Sequence, residues 1–121
     1  MPVKKIMVVD DSPTERFFLQ DLLTKKGFTV VTAENGEEGV AKAKAELPDL
    51  IMMDVVMPGL NGFQATRQIS KAPETANIPI FMCTTKDQET DKVWGVRQGA
   101  KDYLVKPINA DELLAKIAAL K

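Results

Sequence analysis

Between Leu50 and Gly62, four apolar residues (Leu50-Ile51-Met52-Met53) deliver a single carboxylate, Asp54, to a point soon followed by Pro58-Gly59 and Asn61-Gly62. An apolar run bounded by such turn formers reads as a strand buried on both faces, and a parallel sheet is where strands are buried in that way. Asp54 then sits where the strand stops. In open parallel α/β sheets, ligands bind just outside the carboxyl ends of the strands, so an acid at that point is placed for chemistry rather than for packing.

The rest of the chain repeats the same unit. Val3 to Val9 reads as a second buried strand with Asp10-Asp11 at its tip. Ser12-Pro13-Thr14-Glu15 then opens a helix, with Ser12 as cap, Pro13 at the first helical position and Glu15 completing a capping box. Phe18, Leu19, Leu22 and Leu23 form its inner face, and Gly27 stops it. Phe28 to Ala33 is a short β-branched strand. Asn35 and Glu38 begin a second helix that runs through Val40, Ala43 and Leu47 to Pro48. A third helix spans roughly Gly62 to Lys71, with Phe63 and Ile69 inside. Ile78 to Cys83 is a fourth strand ending in Thr84-Thr85, and Asp87 caps a helix through Val93, Trp94 and Val96 to Gly99. Lys101 to Val105 is the last strand. Lys106-Pro107 precedes a fifth helix capped by Asn109 and Glu112, with Leu113, Leu114, Ile117 and Leu120 inside. Five alternations of strand and helix, without repeats or a linker, argue for one domain over residues 1–121: a doubly wound five-stranded parallel sheet with helices on both faces.

Composition removes several function classes. Sixteen basic against seventeen acidic side chains leave a net charge of -1, so no general pull toward DNA or an anionic membrane is expected. The apolar run Ile6-Met7-Val8-Val9 is far too short for a signal peptide or a membrane span, and Cys83 is the only cysteine, so a cytoplasmic protein without membrane insertion or disulfides is expected. Histidine is absent, which removes the commonest general base and metal ligand. Chemistry is left to carboxylates, hydroxyls, lysine or a metal.

Four strand ends would bring Asp10 and Asp11, Asp54, Thr84 and Lys106 to one edge of the sheet. Three converging carboxylates repel and raise one another's pKa, so they call for a cation. Mg2+ is held by one or two carboxylates together with waters and phosphate oxygens, and Lys106 would supply the remaining positive charge. Such a site, with one acid free to attack, suits phosphoryl transfer, with Asp54 as nucleophile. No Gly-rich loop for a nucleotide occurs, so the donor is not ATP directly.

The set Asp10-Asp11, Asp54, Thr84 and Lys106-Pro107, with Pro58-Gly59 and Gly62 after the central acid, resembles the response-regulator receiver domain of CheY-like size over the whole chain. More narrowly, the stretches Val56 to Gln68 and Thr84 to Gly95 are similar to stand-alone receivers of type IV pilus twitching-motility systems. The resemblance implies strand order 2-1-3-4-5 and a phosphoryl group accepted by Asp54 from a phosphohistidine on a chemotaxis-type histidine kinase. It implies Mg2+ ligated by Asp11, Asp54 and the backbone carbonyl of Val56, with Asp10 assisting through water. It further implies that Lys106 contacts the phosphoryl group, that Thr84 swings in to hydrogen-bond it and Tyr103 turns inward behind, and that the Lys106-Pro107 bond is cis. A downstream target would be met through the face made by the fourth helix, fifth strand and fifth helix. The resemblance implies a monomeric signalling protein whose only turnover is self-phosphorylation and self-dephosphorylation. With the sequence ending soon after the fifth helix, no output domain is expected. One departure is Thr85, where the family has a small residue; some effect on phosphorylation or hydrolysis rate is expected from its bulk.

Three rivals share parts of this pattern. Aspartate-nucleophile phosphatases place the nucleophile at the first strand with a second acid two residues on and carry a capping insertion, whereas here the acids are adjacent and no cap fits. A flavodoxin-like carrier needs a phosphate-binding loop after the first strand, where Asp10-Asp11 would repel phosphate. An adaptor with a degenerate site would lack some of the five key residues, and all are present.

Overall fold

The computed structural model describes residues 3–84 and 99–120. Five strands, β1 (Lys5–Val9), β2 (Thr29–Ala33), β3 (Leu50–Asp54), β4 (Ile80–Thr84) and β5 (Asp102–Val105), form one parallel sheet in the order β2-β1-β3-β4-β5. The helices are α1 (Pro13–Lys25), α2 (Gly36–Glu46), α3 (Gly62–Lys71) and a C-terminal helix (Ala110–Ala118). The fold is therefore the expected doubly wound α/β sheet. The helix expected from Asp87, with Trp94, and the neighbouring Thr85 lie outside the described residues.

Side chains alternate across the strands, so the sheet has two cores. Met7, Val9, Ile51, Met53, Ile80 and Met82 pack with Ala43 of α2 and Ala65 and Ile69 of α3. Ile6, Val8, Leu50, Met52, Phe81 and Leu104 pack on the other face with Leu19 and Leu23 of α1 and Leu113 and Ile117 of the C-terminal helix. Every residue of β3 and β4 is buried, which is why these segments read as continuous apolar runs rather than as alternating ones.

Local chemistry sets the element ends. The Ser12, Asn35, Asn61 and Asn109 side chains each accept a hydrogen bond from the backbone N–H three residues on, capping the four helices among the described residues. The capping box expected at α1 is half formed: the Ser12 N–H donates to Asp10 Oδ1 at 2.9 Å and so is taken by the site. The reciprocal box occurs instead at α3, where Asn61 N–H donates to Gln64 Oε1 and Gln64 N–H to Asn61 Oδ1. Two apolar positions expected on helices lie at the surface. Phe18 is exposed, because the inward stripe of α1 falls on Leu19 and Leu23. Leu47 is exposed because α2 ends at Glu46 and Leu47 takes a left-handed turn ahead of Pro48. Leu114 is half-buried beside the buried Leu113 and Ile117.

The turn after β3 is tight. The Gly62 N–H donates to the Val55 carbonyl at 2.9 Å, Gly59 takes a positive φ of 74°, and a Cβ at Gly62 would collide with the backbone carbonyl of Asp54. Gly62 thus lets α3 start directly against the strand end that carries the acid. Replacing Gly62 by Ala should force that backbone apart and cost about 1–3 kcal/mol, read as a lower urea midpoint at unchanged m-value; an unchanged midpoint would show that the approach is not tight.

Candidate functional site

Sheet register brings the site together. Val9 pairs with Met53 and Asp54 with Cys83, so Asp10 lies level with Asp54, and Thr84 lies one residue beyond the partner of Asp54. Thr84 in turn pairs with Val105, so Lys106 follows at the same edge. The carboxylate oxygens of Asp10, Asp11 and Asp54 lie within 4.8 Å of one another. Lys106 Nζ donates to Asp54 Oδ1 at 2.9 Å and to Asp10 Oδ2 at 3.1 Å. Asp10 and Asp54 are buried, Lys106 is mostly shielded, and Asp11 is exposed.

Three carboxylates facing one ammonium leave two negative charges uncompensated, the charge of one divalent ion, and oxygen donors are what Mg2+ takes. The donor set fits such a cation. The remaining expected ligand, Val56, lies two residues past Asp54 with its side chain at the surface, and no hydrogen bond among the described residues uses its carbonyl. Thr84 Oγ1 is buried with no hydrogen-bond partner among the described residues. An unmade hydrogen bond at a buried hydroxyl costs roughly 1–3 kcal/mol, so among the described residues the Thr84 hydroxyl is an unmet donor at this edge. Tyr103 is half-buried, pairs in register with Met82 and packs on the methionine-rich core. The Lys106-Pro107 peptide bond is cis.

Burial pushes the Asp54 carboxyl up to about 6, with Asp10 and Asp11 adding to the rise and the Lys106 hydrogen bond opposing it. Burial also works against the Lys106 ammonium, but Asp54 and Asp10 outweigh it and hold its pKa above the ordinary lysine value. The two shifts differ in kind because one lysine is shared: it is doubly compensated, while Asp54 is not. Cys83, beside Asp54 in the sheet, has its thiol pushed up by burial and is inert core.

One residue that the sequence reading passed over joins the site. Arg16 Nη1 donates to the Asp10 carbonyl at 2.7 Å and Nη2 reaches Glu34 at 3.4 Å. An arginine one turn into a helix that opens on two acids was the available signal. A cleft of about 680 Å3 lies at the opposite edge of the sheet, lined by Val3, Asp49, Pro79, Lys101 and Leu120 among others, and holds none of the site residues.

The family model described as "Response regulator receiver domain" matches residues 6–118. The chain belongs to that family. Among relatives, this receiver is 60% identical to Protein PilH of Pseudomonas aeruginosa over 96% of both chains. Among solved structures, chemotaxis protein CheY4 of Vibrio cholerae superposes with a TM-score of 0.91 at 34% identity, covering 98% of this chain and 99% of that one. The receiver domain of the sensor histidine kinase PA1611 from Pseudomonas aeruginosa, whose structure has a magnesium ion coordinated in the active site cleft, superposes with a TM-score of 0.87 at 29% identity, covering 95% of this chain and 94% of that one. Stand-alone receivers of the CheY type are signalling proteins rather than classical enzymes. No helix among the described residues is long and apolar enough to cross a membrane.

The raised Asp54 pKa has a signed consequence for stability. A carboxyl that binds its proton more tightly when folded contributes stability fully present below about pH 3.8 and lost as pH rises through about 6. Without metal, Asp54→Asn should therefore be more stable than wild type at pH 7.5, on the order of 2–3 kcal/mol, with Lys106 still paired to Asp10. The advantage should vanish near pH 4. Urea midpoints in chelator at the two pH values test this, and a variant less stable at pH 7.5 would show that the Lys106 pairing outweighs burial.

Proposed function

We propose that the chain is a stand-alone response regulator that takes a phosphoryl group on Asp54 from a histidine kinase and thereby changes a protein-binding surface. The observation that supports this most is the convergence of Lys106 on Asp54 and Asp10 at an edge where the buried Thr84 hydroxyl has no partner among the described residues. Asp11, Asp54 and the Val56 carbonyl would hold Mg2+, with Asp10 acting through water. When bound, the ion offsets the charge of the carboxylates and of the phosphoryl oxygens.

The remaining steps belong to the chain. An Asp54 carboxylate oxygen attacks phosphorus in line as the bond to the kinase's histidine nitrogen breaks, and the imidazole leaves with the electron pair. Lys106, already hydrogen-bonded to Asp54, turns its ammonium to the incoming phosphoryl oxygens, where developing charge is greatest. Thr84 donates its hydroxyl to one of those oxygens. Tyr103 follows inward, and the face comprising the helix expected from Asp87, β5 and the C-terminal helix changes shape. Water later attacks phosphorus, the bond from phosphorus to the Asp54 oxygen breaks, and inorganic phosphate leaves as the carboxylate is restored, so the only turnover is of the protein itself.

The 60% identity to PilH supports a role in type IV pilus twitching motility. The partners are then a chemotaxis-type kinase and a downstream protein, met by a cytoplasmic monomer that forms one receiver domain across its 121 residues.

Incubation with Mg2+ and a small phosphoramidate, followed by intact mass and peptide mapping, tests the reading. One phosphoryl group on the peptide carrying Asp54 is expected, absent in Asp54→Ala and absent without Mg2+. An adduct that persists in Asp54→Ala, or forms equally in chelator, would contradict it.

A further inference from the structure

The three acids are not held alike. Asp10 is fixed by the Ser12 N–H at one oxygen and by Lys106 at the other, and Asp54 is fixed by Lys106. The Asp11 carboxylate is exposed and no hydrogen bond among the described residues reaches it. Its place in the cluster therefore depends on its backbone. The Asp10 carbonyl belongs to the peptide unit that leads into Asp11, and the planarity of that unit ties the carbonyl direction to the direction in which Asp11 leaves.

That carbonyl is held by Arg16. The guanidinium is 15% exposed, donates from Nη1 to the Asp10 carbonyl at 2.7 Å, and places Nη2 3.4 Å from Glu34 Oε1. On its other side, the Asp10 N–H donates to the Ala33 carbonyl at 3.1 Å. The peptide units on both sides of Asp10 are thus tied to the end of β2 and to Glu34 just beyond it, the second through a planar fork that lysine cannot reproduce.

We infer that Arg16 is a positioning residue for the metal site: by clamping the Asp10 carbonyl it aims the Asp11 carboxylate into the acid cluster and sets the affinity for the divalent ion. The inference rests on the receiver reading above and goes beyond it in assigning the ion's affinity to a residue that does not ligand it. Outer groups of this kind change metal affinity by about ten-fold or more when removed.

Charge alone predicts the opposite sign. Arg16 is a cation against the backbone of the cluster, so its removal should tighten Mg2+ binding if only its field matters. Positioning predicts weaker binding.

The test uses the full chain, with Mg2+ titrated calorimetrically into wild type, Arg16→Met and Arg16→Lys at a temperature where each is folded. Initial rates of phosphoramidate uptake are measured across Mg2+ concentration in parallel. The expected result is a Kd raised about ten-fold in both variants, with half-saturating Mg2+ rising to match and the maximal rate at saturating Mg2+ close to wild type. A Kd that is unchanged or tighter in Arg16→Met overturns the inference, as does a lowered maximal rate at wild-type Kd. If Arg16→Met does not fold, Arg16→Lys decides by the same criterion, since it keeps the charge and loses the fork. Failure of wild type to bind Mg2+ at all is a different result and overturns the receiver reading itself.

Discussion

Three carboxylates and one ammonium held at one edge of a parallel sheet are the constraint that the rest of the structure serves. Like charges at that range are unfavourable, and partial burial strengthens the repulsion by removing the water that would screen it. The sheet supplies the compensating free energy. Its central strands bury every side chain they carry, and each large apolar side chain so buried contributes about 1.5–3 kcal/mol. The acids stay together because two cores, one on each face, fix the strand ends that carry them.

The same arrangement explains why Asp54 is poised. A carboxylate with full compensation would be a quiet structural ion pair. Here Lys106 is divided between Asp54 and Asp10, so Asp54 retains an unfavourable charge that a divalent ion can relieve. The buried Thr84 hydroxyl is the same kind of deficit with the opposite hydrogen-bonding sense: a donor without an acceptor among the described residues. An anionic group added at Asp54 would give the hydroxyl an acceptor but add to the negative charge, so in the proposed reaction it calls for the divalent ion and Lys106 together.

Much of this was legible in the sequence because the carriers of the site are strand tips. Apolar runs ending in Asp10-Asp11, Asp54, Thr84 and Lys106 announce both the sheet and the edge at which its chemistry gathers. The cap residues Ser12, Asn35 and Asn109 were legible for a similar reason, since each announces a helix start by local chemistry. What was not legible depends on three-dimensional reach. Phe18 lies next to Leu19 in the chain, and only the seating of α1 on the sheet decides which one faces inward. Leu47 looked like the last apolar position of α2, but the left-handed turn ahead of Pro48 put it outside. The Glu15 half of the capping box failed because Asp10 took the Ser12 N–H first, a competition between a helix end and a charged site. Arg16 escaped notice because its partners, a backbone carbonyl and Glu34 across a neighbouring loop, leave no spacing pattern.

The titration of one group reports most directly on the poise of the acid cluster. Carboxyl carbon NMR of Asp54, with and without Mg2+, should show it protonating near pH 6 in chelator and well below that value once the ion is present, because a divalent cation favours the charged form. An Asp54 that titrates at the ordinary carboxylate value in both conditions would mean that neither burial nor the neighbouring acids work against its charge and that no divalent ion binds beside it, contradicting the poised acid cluster.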